Sequence, residues 1–300
     1  MVDDTLSGND PRLQSAMEYL MTYGWSILIV AVVLGALAYL GVFNPLYFAP
    51  KANPGSCQVF RPNGAGTSYD INLLGVCNNE VPKYVGQLNG QSSYAYGNGI
   101  YAFPFSNFQW IYPTSFGSSN FQVISEFDGN QLSCGGDSPY CGAFQIALMT
   151  DGNVVVWNGE TNFDSNLQVQ LGRWNFVGYS ISSTSIAIYV NNQRELFPAS
   201  TAAPDNGAPI FNIFGYQQCC GNRFFQGSIS NVQEYNNTLD WPSVNTIYQE
   251  GIGGVPIDLQ NLVGWWPLNG NANDYSGNGN NVIPADISFT SGWIDSYNPP

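Results

Sequence analysis

The sequence predicts an α+β chain in which a long hydrophobic N-terminal helix is followed by an all-β sandwich. Three observations predict it. Residues 19–43 form a run of 25 without one charged side chain. From residue 56 onward, short runs rich in β-branched and aromatic residues recur between Gly, Asn, Pro and Asp, at roughly the 8–12-residue spacing of sandwiches and barrels. All six cysteines lie after the apolar run, and none lies before or within it.

Residues 1–13 are a polar leader containing Asp3, Asp4, Asp10 and a single base, Arg12. A secretory n-region would be positive, so this is a different kind of segment. The apolar run is longer than the roughly 20 residues a bilayer needs, and as a helix it would extend about 37 Å. Its one nearby charge is Glu18, and Pro45 ends it, which sets the helix at 14–44. A carboxylate at the edge of an apolar helix is costly to bury unpaired. Small residues, among them Gly24, Gly35 and Gly41, allow close helix approach. Residues 45–55 are Pro- and Asn-rich and read as a stalk.

From there strands are expected at 121–127, 144–149, 153–157, 175–181, 185–190 and 210–214. Asp128-Gly129 and Asp151-Gly152 serve as hairpin signals. The first helical pattern after the apolar run is 241–250. The β domain is assigned to 56–300, with a closing strand drawn from 262–300.

Composition limits function. Only 9% of residues are charged, seven basic residues face 21 acidic ones, histidine is absent and the net charge is −14. No basic stripe exists to neutralise phosphates, which excludes a nucleic-acid partner. Without histidine, Ser-His-Asp triads and His-ligated metals are excluded as well. The cysteines Cys57, Cys77, Cys134, Cys141, Cys219 and Cys220 contain no CxxC and point to disulfides in an oxidising compartment. Cys57–Cys77 and Cys134–Cys141 are the nearest pairs, though the adjacent Cys219 and Cys220 leave the connectivity open. Asn236-Asn237-Thr238 is an N-glycosylation sequon, with Asn236 as acceptor.

Two stretches resemble known families. Gln14-Ser15-Ala16-Met17-Glu18-Tyr19, joined directly to the uncharged run, resembles the class III signal peptide of archaeal type IV pilin-like proteins. The resemblance implies cleavage between Leu13 and Gln14 by a prepilin-type peptidase. The new Gln14 amine would then pair with Glu18 of a neighbouring copy as the helices bundle into a filament. The family usually carries a basic residue and Gly before the cut, whereas Arg12-Leu13 stand here.

Asn107-Phe108-Gln109-Trp110-Ile111-Tyr112-Pro113, Arg173-Trp174-Asn175-Phe176-Val177, Ile186-Ala187-Ile188-Tyr189-Val190-Asn191-Asn192 and Phe224-Phe225-Gln226-Gly227-Ser228-Ile229 resemble strands of LamG-like (concanavalin A-like lectin/glucanase) jelly rolls. The segment that normally opens such a domain resembles Leu262-Val263-Gly264-Trp265-Trp266-Pro267-Leu268, near the end of this chain. The domain is therefore read as circularly permuted, with a truncated second repeat as the competing reading.

The jelly-roll resemblance implies exposed loops for surface glycans or proteins, and a Ca²⁺ ion. The loop 271–281, with Asp274 as its only acid and Asn271 and Asn278 beside it, is the calcium candidate. The competing reading of the same loop is a tight turn held by Asx bonds. Glucanases of this fold use an E-x-D-x-x-E strand pattern that neither Glu126-Phe127-Asp128 nor Glu160 with Asp164 reproduces, so no enzyme is expected. Trp110, Trp157 and Trp174 are expected in the core. Of the adjacent Trp265 and Trp266, one is expected in the core and the other exposed or facing a neighbouring subunit.

The sequence thus points to a subunit of a pilus-like surface filament. It is held in the membrane as a precursor, polymerises with itself through assembly machinery, and displays lectin-like domains for adhesion. The alternative is a single-span receptor that does not polymerise.

Overall fold

The computed structural model describes residues 11–39, 82–97, 103–117, 121–128, 144–158, 161–198, 211–215, 223–291, 297 and 300. The chain separates into two compact units, Met1–Pro50 and Lys51–Pro300.

The first unit is helix α1, Pro11–Tyr39, with proline at its first position, where the missing N–H has no intrahelical partner to lose. Its side chains are described over 23–37. Trp25, Ile27, Val32 and Leu34 are among them, each half or more exposed within the chain. Among the described residues no helix is long and apolar enough to cross a membrane. The hydrophobic helix expected over 14–44 is therefore present here as a shorter described stretch. Leu13, Gln14 and Glu18 lie on the α1 backbone, but their side chains fall outside the described residues.

The second unit is a sandwich of antiparallel strands. Its strands are β1 (Val85–Asn89), β2 (Tyr94–Tyr96), β3 (Phe105–Pro113), β4 (Phe121–Asp128), β5 (Phe144–Met149), β6 (Asn153–Trp157), β7 (Asn162–Gln168), β8 (Asn175–Ile181), β9 (Ser185–Val190), β10 (Gln193–Pro198), β11 (Phe211–Gly215), β12 (Gln226–Tyr235), β13 (Leu262–Trp266), β14 (Ile283–Ala285) and β15 (Ser288–Thr290). One sheet runs β10-β9-β8-β3-β12-β1-β15, with β13 also on β12; the other runs β14-β2-β11-β4-β5-β6-β7.

Turn chemistry places the hairpins. At the β5–β6 turn Gly152 adopts φ +87° and donates to the Met149 carbonyl, while the Asp151 carboxylate accepts from Asn153 N. A residue with a Cβ would be strained there. At the β9–β10 turn Asn191 takes φ 53°, and its side-chain oxygen accepts from Phe176 N.

Between the sheets lies the main core. Ile111, Val177, Ile188 and Ile229 from the first sheet meet Ile124, Ile146, Leu148 and Val156 from the second. Phe105 meets Phe144 edge-on at 5.0 Å, and Phe214 meets Trp266 at 5.1 Å, each pair joining the two sheets. Trp266 folds back over its own strand. A Cβ on Gly264 would stand 2.0 Å from the Trp266 ring, so only glycine leaves room for it.

A second apolar layer covers the outer face of the first sheet. Helix α2 (Trp241–Glu250) starts at Asp240, whose carboxylate accepts from Ser243 N, and ends at Gly251. Val244 and Ile247 point into the layer. Tyr189 stacks on Trp241, Tyr248 stacks on Trp110, and Tyr297 meets Trp110 edge-on at 5.5 Å. Trp265 also lies under this layer, 5% exposed, with its indole N–H donating to Asn231 Oδ1 at 2.7 Å. The expectation that one of the tandem tryptophans is exposed or faces a neighbouring subunit is thus corrected. They do face opposite sides, but both sides of β13 are covered.

The last strands enter both sheets. β13 pairs with β12 (Val232 opposite Trp266), β15 with β1 (Val85 opposite Thr290), and β14 with β2 (Ile283 opposite Tyr96).

Truncation after Asn261 removes β13, Trp266 and both closing edges, and loss of the Trp266 side chain alone would cost about 3–5 kcal/mol. The truncated chain is expected to lose its cooperative unfolding transition in denaturant, monitored by tryptophan fluorescence. Retention of a single sharp transition would contradict this. Asp240→Ala is expected to cost about 1 kcal/mol at neutral pH as a lost cap. The Ser243 hydrogen bonds hold the Asp240 pKa below its usual value. Its contribution is therefore present above about pH 4 and fades as pH falls through the lowered folded value. Comparison of urea midpoints of wild type and variant at pH 7 and pH 3 checks both points.

Candidate functional site

Strands of the second sheet point alternate side chains to opposite faces. Phe144, Ile146 and Leu148 of β5 and Val154 and Val156 of β6 face the core, so Gln145, Ala147, Val155 and Trp157 face away from it. Tyr94 and Tyr96 flank the buried Ala95 and share that outer face, with ring centroids 5.9 Å apart.

Strand β4 would break the pattern if it were regular. With Val123 outward, alternation would send residue 126 into the core. A register shift between Val123 and Ser125 resets it, so that Ser125 lies opposite the inward Ile146 and Glu126 opposite the outward Gln145. Bulges re-aim side chains in this way and are enriched beside functional sites.

The result is one lateral row across all seven strands: Ile283, Tyr96, Ile213, Glu126, Gln145, Trp157 and Asn162, each the register partner of the next. Gln145 Nε2 donates to Glu126 Oε2 at 2.7 Å, and both residues are buried. Tyr96 and Trp157, on either side, are half-exposed. With strands about 4.8 Å apart, four steps separate them by roughly 19 Å. A neighbouring row packs Val123, Ala147 and Val155 with Phe224, which bridges Val123 in parallel, and brings exposed Asp164 opposite Val155. Arg223 lies over the Phe121 ring at 5.5 Å.

Trp157 was expected in the core and is found on the outer face, a correction that follows from its register with Gln145. Trp110 and Trp174 are buried as expected, under the α2 layer rather than between the sheets.

The second locus is the loop 271–281. Asp274 Oδ1 accepts from Trp265 N (3.0 Å) and Ser276 N (2.7 Å), while Oδ2 accepts from Ser276 Oγ (2.8 Å) and Asn280 N (2.9 Å). Asn278 Nδ2 donates to the carbonyls of Leu262 and Val263. Asn271 Nδ2 donates to Tyr275 Oη, and its Oδ1 accepts from Asn273 N. Calcium requires six to eight oxygens converging on one point. Here the one carboxylate is fully engaged and the two amides turn their nitrogens inward, so these residues do not fit the ion. Among the described residues no group of three or more His, Cys, Asp or Glu side chains gathers to hold a metal. The loop is instead a polar buttress that holds β13 against the sheet.

Asn236 is exposed in the turn after β12, where Thr238 Oγ1 donates to the Ile181 carbonyl at 2.9 Å. The six cysteines lie outside the described residues. Sequence reasoning missed the Glu126–Gln145 pair, since only strand register brings residues 19 positions apart together.

The family described as the concanavalin A-like lectin/glucanases superfamily matches residues 89–245. Among solved structures, a candidate carbohydrate binding protein from Bacteroides ovatus is similar at 15% identity and TM-score 0.52, over 71% of this chain and 61% of its own. A heptameric SAP-like pentraxin from Limulus polyphemus is similar at 14% identity and TM-score 0.50, over 70% of this chain and 95% of its own. Trypanosoma rangeli sialidase in complex with sialic acid is similar at 12% identity and TM-score 0.44, over 57% of this chain and 28% of its own. No curated protein matches the sequence. At these identities the likeness concerns the fold. The expectation that the chain is no enzyme is withdrawn, because a likeness of fold at these identities decides neither for nor against an activity.

Asp274→Ala strands several buried donors and is expected to cost about 3 kcal/mol of stability. Millimolar Ca²⁺ or EDTA is expected to move the wild-type melting temperature by less than about 1 °C, whereas saturation of a real site would raise it by several degrees. Thermal melts with each addition check this.

Proposed function

The chain belongs to the concanavalin A-like lectin/glucanases superfamily, and from that premise we propose that its sandwich is a glycan-binding module displayed at a cell surface. The observation that carries the reading is the bulge in β4, which sets an acid–amide pair on the outer face of the second sheet between half-exposed Tyr96 and Trp157. Polyhydroxylated ligands call for this chemistry. Aromatic faces stack on the apolar side of a sugar ring, and carboxylate and amide groups exchange hydrogen bonds with hydroxyls. The likeness to the Bacteroides protein supports the same reading at the level of the fold.

The N-terminal segment would display the module. The hexamer 14–19 and the uncharged run behind it support a pilin-like subunit, cleaved between Leu13 and Gln14, with Glu18 neutralising the amine of a neighbouring copy. Bare apolar side chains along α1 need such a covering, because a helix that is hydrophobic all round is not stable in water. In this reading residues 262–300 are the opening segment of a circularly permuted domain. The Arg12-Leu13 pair before the cut favours the second reading, an uncleaved membrane-anchored receptor.

Trp157→Ala is expected to reduce binding to a panel of immobilised oligosaccharides at least tenfold, at an unchanged melting temperature. A wild-type chain that binds nothing on the panel refutes the glycan reading. N-terminal sequencing of the native protein is expected to begin at Gln14, and Glu18→Ala to abolish filaments while leaving the subunit in the membrane. An intact Met1 would establish the anchored receptor instead.

A further inference from the structure

The interior of a sandwich is normally apolar, but here β3 places two amides between the sheets. Phe105 and Ile111 face the core, so Asn107 and Gln109 between them face it as well. Asn107 lies opposite Glu234 on β12 and opposite Tyr179 on β8. Its oxygen accepts from Ser125 Oγ of the other sheet at 3.4 Å. Gln109 lies opposite Val177, which makes Tyr179 its diagonal neighbour, within reach of a long side chain.

Gln109 and Tyr179 are both 0% exposed. Among the described residues, Gln109 Nε2, Gln109 Oε1 and Tyr179 Oη have no hydrogen-bond partner. Because both ends of the amide are unmatched, exchanging its oxygen and nitrogen removes nothing from the deficit. Burial raises the Tyr179 pKa well above its usual value, and the Glu234 charge raises it further, so the phenol keeps its proton and remains a donor.

A second observation points to the same place. Along β12, Ser230 lies opposite Trp110 and Gln233 opposite Phe108, so two residues, Asn231 and Val232, stand where Gln109 alone faces them. This bulge opens the ladder beside the unmatched amide. Asn231 adopts φ 49° there and turns its side chain to the outer face, where Nδ2 donates to the Gly254 carbonyl and Oδ1 accepts from Trp265 Nε1. It therefore supplies nothing to Gln109.

We propose that the sandwich contains a built-in hydration site, in which ordered water bridges the Gln109 amide and the Tyr179 hydroxyl beside the β12 bulge. The three unmatched atoms are a donor, an acceptor and a hydroxyl. An ion satisfies one polarity only, whereas a water molecule donates and accepts. Buried polar groups are satisfied in folded proteins, by protein or by ordered water, and the described residues offer these atoms no partner. The water then joins β3 to β8 across the diagonal, next to the Ser125–Asn107 contact between sheets. The site is independent of the glycan reading.

The test uses the full-length chain in detergent. A rotating-frame NOE experiment is expected to show a cross-peak from the Gln109 side-chain amide to water, identified by its loss in Gln109→Leu. Tyr179→Phe, which strands the water on one side, is expected to lower the melting temperature by about 2–4 °C. At a dry site the same substitution deletes an unmatched hydroxyl and leaves the melting temperature unchanged or raises it. Either that outcome, or absence of the water cross-peak in wild type, overturns the proposal. The NOE measurement stands on wild type alone should a variant fail to fold.

Discussion

Strand β12 is the constraint on which the sandwich depends. One side pairs with β3 along most of its length, and the other is shared end to end by β1 at Gln226–Ile229 and by β13 at Val232–Tyr235. Those partners come from residues 85–89, 105–113 and 262–266, so segments far apart in the chain converge on ten residues. A strand buried on both faces and paired on both edges must satisfy its backbone entirely within the protein. β13 therefore closes the ladder and also brings Trp266, the largest fully buried side chain, into the core.

Both bulges that matter arise where one ladder must serve two faces. On β12 the shift opposite Gln109 sends Asn231 outward to hold the segment after α2, while Val232 stays in the core. On β4 the shift at Val123–Ser125 lets Ile124 and Ser125 face inward in succession and still returns Glu126 to the outer face. In each case one extra residue decouples what a regular strand would fix together. The protein gains a polar group on a chosen side without giving up core apolar surface.

Much of this fold is legible in the sequence. The β5, β6, β8 and β9 strands coincide with apolar or aromatic runs between turn signals, because both of their faces are buried and the runs are nearly continuous. The edge strands β7 and β10 are not legible. Their residues, NFDSNLQ and QRELFP, are exposed on one face and read as loop. The candidate site was hidden for a related reason. A bulge is a property of pairing rather than of a residue, and without it the Glu126–Gln145 contact cannot be placed, while the outward Trp157 follows from its register with Gln145 across β5 and β6.

The scarcity of cations explains how the carboxylates are managed. With seven basic residues for 21 acidic ones, several of the described acids take hydrogen bonds from neutral donors. Asp274 takes four N–H and O–H bonds, Asp258 takes the amides of Asn237 and Asn261, Asp240 takes Ser243 N, and Glu126 takes Gln145 Nε2. Such bonds depend on short-range geometry and are screened by salt far less than exposed ion pairs. Some of the Asn, Gln and Ser side chains that look like surface filler in the composition, among them Asn237, Asn261, Gln145 and Ser276, are therefore counter-groups of acids. The same amide-for-cation exchange forms the Glu126–Gln145 pair, so the candidate site is made from the chemistry that holds the loops. What separates it from them is its position on the sheet, between half-exposed aromatic rings.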